Sequence, residues 1–196
     1  MARGRPRQFD EDSALNGAMS LFWQKGLSAT SLDELAVAMN MNRPSIYNAF
    51  GNKHDIYRRS LARFCGQLDK GFEATIASSS SIKTGLVAFF DMAIEVYCGG
   101  EAQMGCLMIC TAPSEALSHP EVGEDLKGLI QRLDSKIANS LEKAQREGEL
   151  CKSLQPKLAA KMLQATLHTL ALRARTGESK TSLRKLGRYA VETIVS

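Results

Sequence analysis

Along most of the chain, apolar residues recur three and four positions apart, the spacing of one face of an α-helix. Leu15, Ala18, Met19, Phe22 and Trp23 make the first such stripe, with Asp10 where an N-cap belongs and Gly26 where a helix ends. Leu32, Leu35, Ala36 and Met39 make the second, opened by a capping-box pair, Ser31 and Glu34. Asn40 can adopt the left-handed backbone that terminates it. Asn42 is positioned to cap a third, short helix with Pro44 in its first turn, where a missing N–H costs nothing, and Gly51 closes it. Asn52 then caps a long helix whose stripe is Tyr57, Leu61, Phe64, Cys65, Leu68 and Phe72.

The remainder follows the same period. "SSSSI" at 78–82 reads as a linker ending in a Ser81 cap. Ile82, Leu86, Phe89, Phe90, Ala93, Ile94 and Tyr97 mark the next helix, stopped by Gly99 and Gly100. A short apolar piece, Cys106 to Thr111, precedes Pro113. Leu126, Ile130, Leu133, Ile137 and Leu141 mark a long helix ending near Gly148. Pro156 opens another, with Leu158, Met162, Leu163, Thr166, Leu167 and Leu170, and the last runs from about Ser182 to Ile194. No segment alternates with the period of a strand, and none repeats. The pattern predicts an all-α protein of about nine helices.

The third helix is too short and polar to serve as core. Helix, short turn, short polar helix is the layout of a helix-turn-helix, whose second helix enters the DNA major groove. Arg43, Ser45 and Asn48 supply suitable chemistry, since Arg can read guanine and Asn adenine through paired bonds. Ile46 and Phe50, four apart, would face inward. Tyr47 and Lys53 would flank the readers and hold phosphates. Thr30 and Ser31, opening the preceding helix, are positioned to give hydroxyl and backbone N–H bonds to a phosphate. The competing reading is an ordinary capped helix between longer ones.

Charge adds a little. The 196 residues carry a formal net charge of +4, which weakly favours an anionic partner. "RGRP" near the start, with Arg3 and Arg5, can act as an arm for the narrow minor groove of A·T-rich DNA, or simply as a basic, disordered tag. No run approaches the roughly 18 apolar residues of a membrane span. The five cysteines are odd in number and widely spaced, unlike a disulfide framework, so a reducing cytoplasm is expected.

"ATSLDELAVAMNMNRPSIYNAFGNKHDIYRRSL" resembles the DNA-binding domain of tetracycline-repressor-type (TetR) transcriptional regulators, over roughly Phe9 to Leu61. Thr30 at the second helix, Tyr47 and Phe50 closing the third, and Lys53 two positions into the fourth carry the motif. Asn40, Pro44 and Gly51 depart from the commonest pattern, but a subgroup with "NRPS-Y-AFG-K" shares them. The resemblance implies a homodimer with a DNA-binding head at residues 1–51 and an effector-binding and dimerisation domain at residues 52–196. Its double-stranded operator would be met by Arg3, Arg5, Thr30, Ser31, Asn42, Arg43, Pro44, Ser45, Tyr47, Asn48 and Lys53. It further implies that the last two helices pair between protomers. Ala159, Ala160, Ala165, Ala171 and Ala174 would permit close approach, and Leu163, Leu167, Leu170 and Leu186 would supply apolar area, unless they face their own core.

The effector is written less clearly. Phe89, Tyr97, Cys106 and His168 are the candidate contacts, with Met92, Met104, Met108 and Cys110 nearby in sequence, and each also reads as core. With no charged cluster among them, a small organic molecule fits best. Alternatively, Cys106 or Cys110 in "MGCLMICTAP" serves a thiol-based redox or electrophile sensor, although no Lys or Arg in that stretch would lower a thiol pKa. Two thiols one helical turn apart do not make a tetrahedral metal site. No Gly-rich phosphate loop, nucleophile elbow or HExxH suggests an enzyme, and no cofactor is called for.

Overall fold

The computed structural model describes residues 10–100 and 102–195, and there the chain forms nine helices. They are α1 (Glu11–Lys25), α2 (Leu32–Ala38), α3 (Arg43–Phe50), α4 (Lys53–Ala77), α5 (Ile82–Tyr97), α6 (Leu107–Ala116), α7 (Pro120–Arg146), α8 (Pro156–Arg175) and α9 (Lys180–Ile194). No strand occurs among the described residues, and no helix there is long and apolar enough to cross a membrane.

Local chemistry explains most of the boundaries. The Asp10 side chain accepts from Asp12 N–H, Ser31 and Glu34 complete their reciprocal capping box, and Asn42 accepts from Ser45 N–H. Asn40 takes φ 50° and Gly51 φ 85°, the left-handed conformations that end α2 and α3. Asn52 Oδ1 accepts from both His54 and Asp55 N–H groups at the start of α4.

Two expectations change. The α6 helix continues through Pro113 to Ala116 instead of stopping short of it. Its inner face, Leu107, Met108, Thr111, Ala112 and Glu115, is buried, while Pro113 points outward. Tertiary burial of that face outweighs one missing N–H. The α7 helix also starts earlier, at Pro120, anchored by fully buried Val122.

The chain divides into two compact units between Phe64 and Cys65, later than the residue-51 boundary suggested by the sequence. The reason is aromatic. Tyr57 meets Phe22 edge-on at 5.2 Å and Phe64 meets Trp23 at 4.8 Å, so the first half of α4 completes the core of the head. In that core α1 and α2 come so close that a Cβ on Gly17 would stand 1.9 Å from the Ala38 carbonyl oxygen. The second unit is a separate bundle. There α7 lies between α6 and α8, while α9 lies against α5 and α8. Phe72, Phe89 and Phe90 stack edge-to-face within it, at 5.1 and 6.3 Å.

Candidate nucleic-acid interface

The geometry of α3 follows from its two sides. Ile46 and Phe50 are buried, 0% and 3% exposed, and fix the helix to the head. Arg43, Pro44, Tyr47 and Asn48 are left facing outward, and Ser45 is half-buried. Asn42 is exposed, but its side-chain oxygen is committed to the Ser45 N–H at 2.9 Å. Arg59 lies 4.6 Å over the Phe50 ring and donates to the Ala49 carbonyl at 3.1 Å, fastening the far end of α3.

Arg43 does not stand alone. Its Nε donates to Asp33 Oδ1 at 2.8 Å, and its Nη2 forms an ion pair with the same oxygen. The carboxylate pushes the guanidinium pKa up further. Neither Asp33 nor Arg59 was singled out from the sequence. In the sequence Asp33 is one of two acidic residues in the first turn of α2, and nothing there distinguishes it from Glu34.

Three phosphate candidates have other engagements. Thr30 is 1% exposed, and its hydroxyl donates to the Gly26 carbonyl at 2.7 Å, so that group is occupied within the head. Both Ser31 donors, hydroxyl and N–H, turn to Glu34 Oε2 at 2.9 Å. The Lys25 ammonium, followed by these Ser31 groups, holds the Glu34 carboxyl down to about 2. A phosphate brought to this helix start would therefore meet a carboxylate already occupying the donors. Lys53 is half-buried and donates to the carbonyls of Leu27 and Thr30, at 3.0 and 2.9 Å. It pins the α1–α2 turn and has one ammonium proton beyond those two bonds. Arg3 and Arg5 lie outside the described residues.

Two of the effector candidates meet, and the other two have surroundings of their own. Phe89, 1% exposed, belongs to the ring stack. Tyr97 and Cys106, both buried, are hydrogen-bonded to each other. Burial pushes the Tyr97 hydroxyl well up and the Cys106 thiol up to about 12. Cys65, also raised by burial, has its sulfur 3.6 Å from that of Met108. His168 is half-buried, and its enclosed Nε2 has no hydrogen-bond partner. A groove of about 520 Å³ opens elsewhere, lined by Phe72, Ile76, Ser81, Lys143, Ala144 and Glu149.

The surface expected for pairing is also corrected. Ala159, Ala160, Leu163, Leu167, Leu170, Ala171 and Ala174 are buried within their own unit, and Leu186 is half-buried. Of the five expected alanines Ala165 alone faces outward, in a stripe with Leu158, Met162 and Leu172, and α9 adds Tyr189, 69% exposed. The register differs because α8 is apolar on more than one side, and spacing alone does not say which side is covered.

Comparison with known proteins bears on this arrangement. Residues 14–59 match the model of bacterial regulatory proteins, tetR family, and residues 83–190 match the tetracyclin repressor-like C-terminal domain. The HTH-type transcriptional repressor ComR of Escherichia coli K12 is 29% identical over 194 residues, covering 98% of this chain and 91% of ComR. The repressor BdcR of the same organism is 41% identical over 63 residues, 32% of each chain. Among solved structures, a cysteine variant of the TetR-family regulator CifR with 26-bp operator DNA superposes with TM-score 0.87 at 25% identity, covering 96% of this chain and 98% of that one. The reduced form of E. coli NemR, at 18% identity, shares the fold with TM-score 0.82 over 94% and 96% of the two chains. With the C-terminal match alone spanning more than half of its length, this chain belongs to the tetR family of bacterial regulatory proteins, which are DNA-binding transcriptional regulators.

Proposed function

We propose that the protein is a homodimeric repressor that grips a near-palindromic operator and is released by a small organic effector. The outward face of α3 carries this reading. Arg43, Tyr47 and Asn48 project from a helix anchored on its other side by Ile46 and Phe50. Names of relatives support it, since ComR and BdcR are repressors and CifR was solved on operator duplex. The exposed apolar stripe of α8 with Tyr189 suits a two-fold partner. Half-site centres are expected about one helical turn apart, roughly 34–36 Å, or somewhat more.

Effector and DNA compete through coupling of typically about 1–3 kcal/mol, which lowers DNA affinity some 5–150-fold. The α4 helix is the conduit, because it is continuous from Lys53 to Ala77 across the boundary between the units. A reversible organic ligand is favoured over a thiol sensor at Cys106, because burial holds that thiol in the protonated form; Cys110, the other thiol candidate, is half-buried. The test is selection of bound duplexes from a random-sequence library, followed by binding at 50 and 200 mM salt, with and without candidate effectors. A recovered palindrome, a steep salt slope and an effector response retained by both Cys106→Ser and Cys110→Ser support the reading. Absence of sequence preference overturns the operator. Loss of the response in either variant, with an adduct in the wild type, overturns the reversible ligand in favour of a thiol sensor.

A further inference from the structure

The Asp33–Arg43 pair is an ion pair on an open surface, where such pairs contribute little to stability. Asp33 is 74% exposed at its side chain and Arg43 53%. On a surface meant for a polyanion, a bare carboxylate is also a liability, since it repels phosphate. Its placement needs another explanation, and the guanidinium supplies one. Asp33 engages the edge formed by Nε and Nη2. The end formed by Nη1 and Nη2 keeps its outward protons, the fork that pairs with guanine O6 and N7. An unrestrained Arg at the first position of α3 would sweep through many rotamers and could settle on any nearby phosphate.

We propose that Asp33 is a specificity-determining positioning residue, holding Arg43 for end-on recognition of a guanine edge and denying it to the phosphate backbone. The inference rests on the DNA-reading role of α3 proposed above. Two chemical consequences follow from the same carboxylate. It restricts the reader to one direction, and it penalises non-specific complexes by its charge. Asp33 therefore weakens DNA binding in general while sharpening it at one base pair. A residue present merely to stabilise α2 would do neither.

The test uses the wild type, Asp33→Ala, Arg43→Ala and the double variant against the random-sequence duplex library. Binding to a fixed non-cognate duplex and thermal melting are followed in parallel. In Asp33→Ala, which removes the acceptor oxygen as well as the charge, preference at one position of each half-site should fall by about 5–30-fold, part of the discrimination of a bidentate pair. Affinity for the non-cognate duplex should stay level or rise, with a steeper salt slope. Arg43→Ala should relax the same position, and adding Asp33→Ala to it should not relax that position further. Unchanged preference in Asp33→Ala, while Arg43→Ala relaxes it, overturns the inference but leaves DNA reading intact. Additive losses at that position overturn it as well. Absence of preference in the wild type defeats the underlying reading instead, and is seen before any variant is compared.

Discussion

The head and the unit that follows it are both helical, but they keep their chemistry on opposite sides of the protein surface. In the head, most of the candidate DNA-binding groups are polar and reach the surface, and several have nameable partners: Asn42 on Ser45, Arg43 on Asp33, half-buried Lys53 on the turn carbonyls. In the second unit, the candidate effector contacts are inward. Phe89 sits in a ring stack, Tyr97 and Cys106 bond to each other, and His168 encloses an unbonded nitrogen. Reading a nucleic acid requires groups that water can reach before the ligand arrives. Holding a small organic molecule requires groups that look like core until the ligand takes their place.

The sharpest way to break this contrast is Phe89→Ala. If Phe89 is a structural ring, its loss costs about 3–5 kcal/mol. Denaturation followed by hydrogen exchange should then place the damage in the second unit. A small cost with an altered effector response would make Phe89 a pocket wall instead.

The head has a counterpart in Gly17→Ala. The added methyl would collide with backbone, which cannot rotate away, so a cost near the top of the overpacking range, about 3 kcal/mol, is expected. The same change at Gly128 in α7, where a Cβ would meet nothing within 4 Å, should stabilise by about 0.5–1 kcal/mol. Melting curves of the two variants should shift in opposite directions.

Lys53→Ala comes next, at about 2 kcal/mol, from two carbonyls left without their charged donor. Head stability and DNA affinity should fall together. Retained stability with DNA binding lost across all sequences would make Lys53 a phosphate contact only.

How much of this was legible in advance divides along the same line. The caps at Asp10, Ser31, Asn42 and Ser81 and the stops at Asn40 and Gly51 could be read directly, because each acts through its own backbone neighbours. The fate of Thr30 could not, because its hydroxyl is turned inward by burial. Asp33 escaped notice because an acid in a first turn is ordinary, and only the fold brings it to Arg43. The outward stripe of α8 is not legible from spacing, because Leu163 and Met162 are both apolar and only the bundle decides which is covered.

The smallest effect concerns acid. Burial holds His168 below its ordinary 6.5, so the folded protein binds this proton less readily than the unfolded chain. Its contribution to stability is then fully present above about 6.5 and declines as pH falls toward the lower folded value. His168→Gln should flatten that decline in pH-dependent melting of the second unit, and an unchanged slope would assign it to other groups.

The close approach at Gly17 has a bearing on how such a protein can diverge. Every replacement of a glycine by a single base change adds at least a Cβ, and here that atom has nowhere to go. The contact between α1 and α2 is thus closed to drift by small steps. Tyr47 and Asn48, nine and ten residues beyond Ala38 along the chain, face outward and meet no such backbone obstacle. Under the DNA-reading role proposed for α3, a lineage of such proteins can change its target sequence without rebuilding the frame that presents the reading helix.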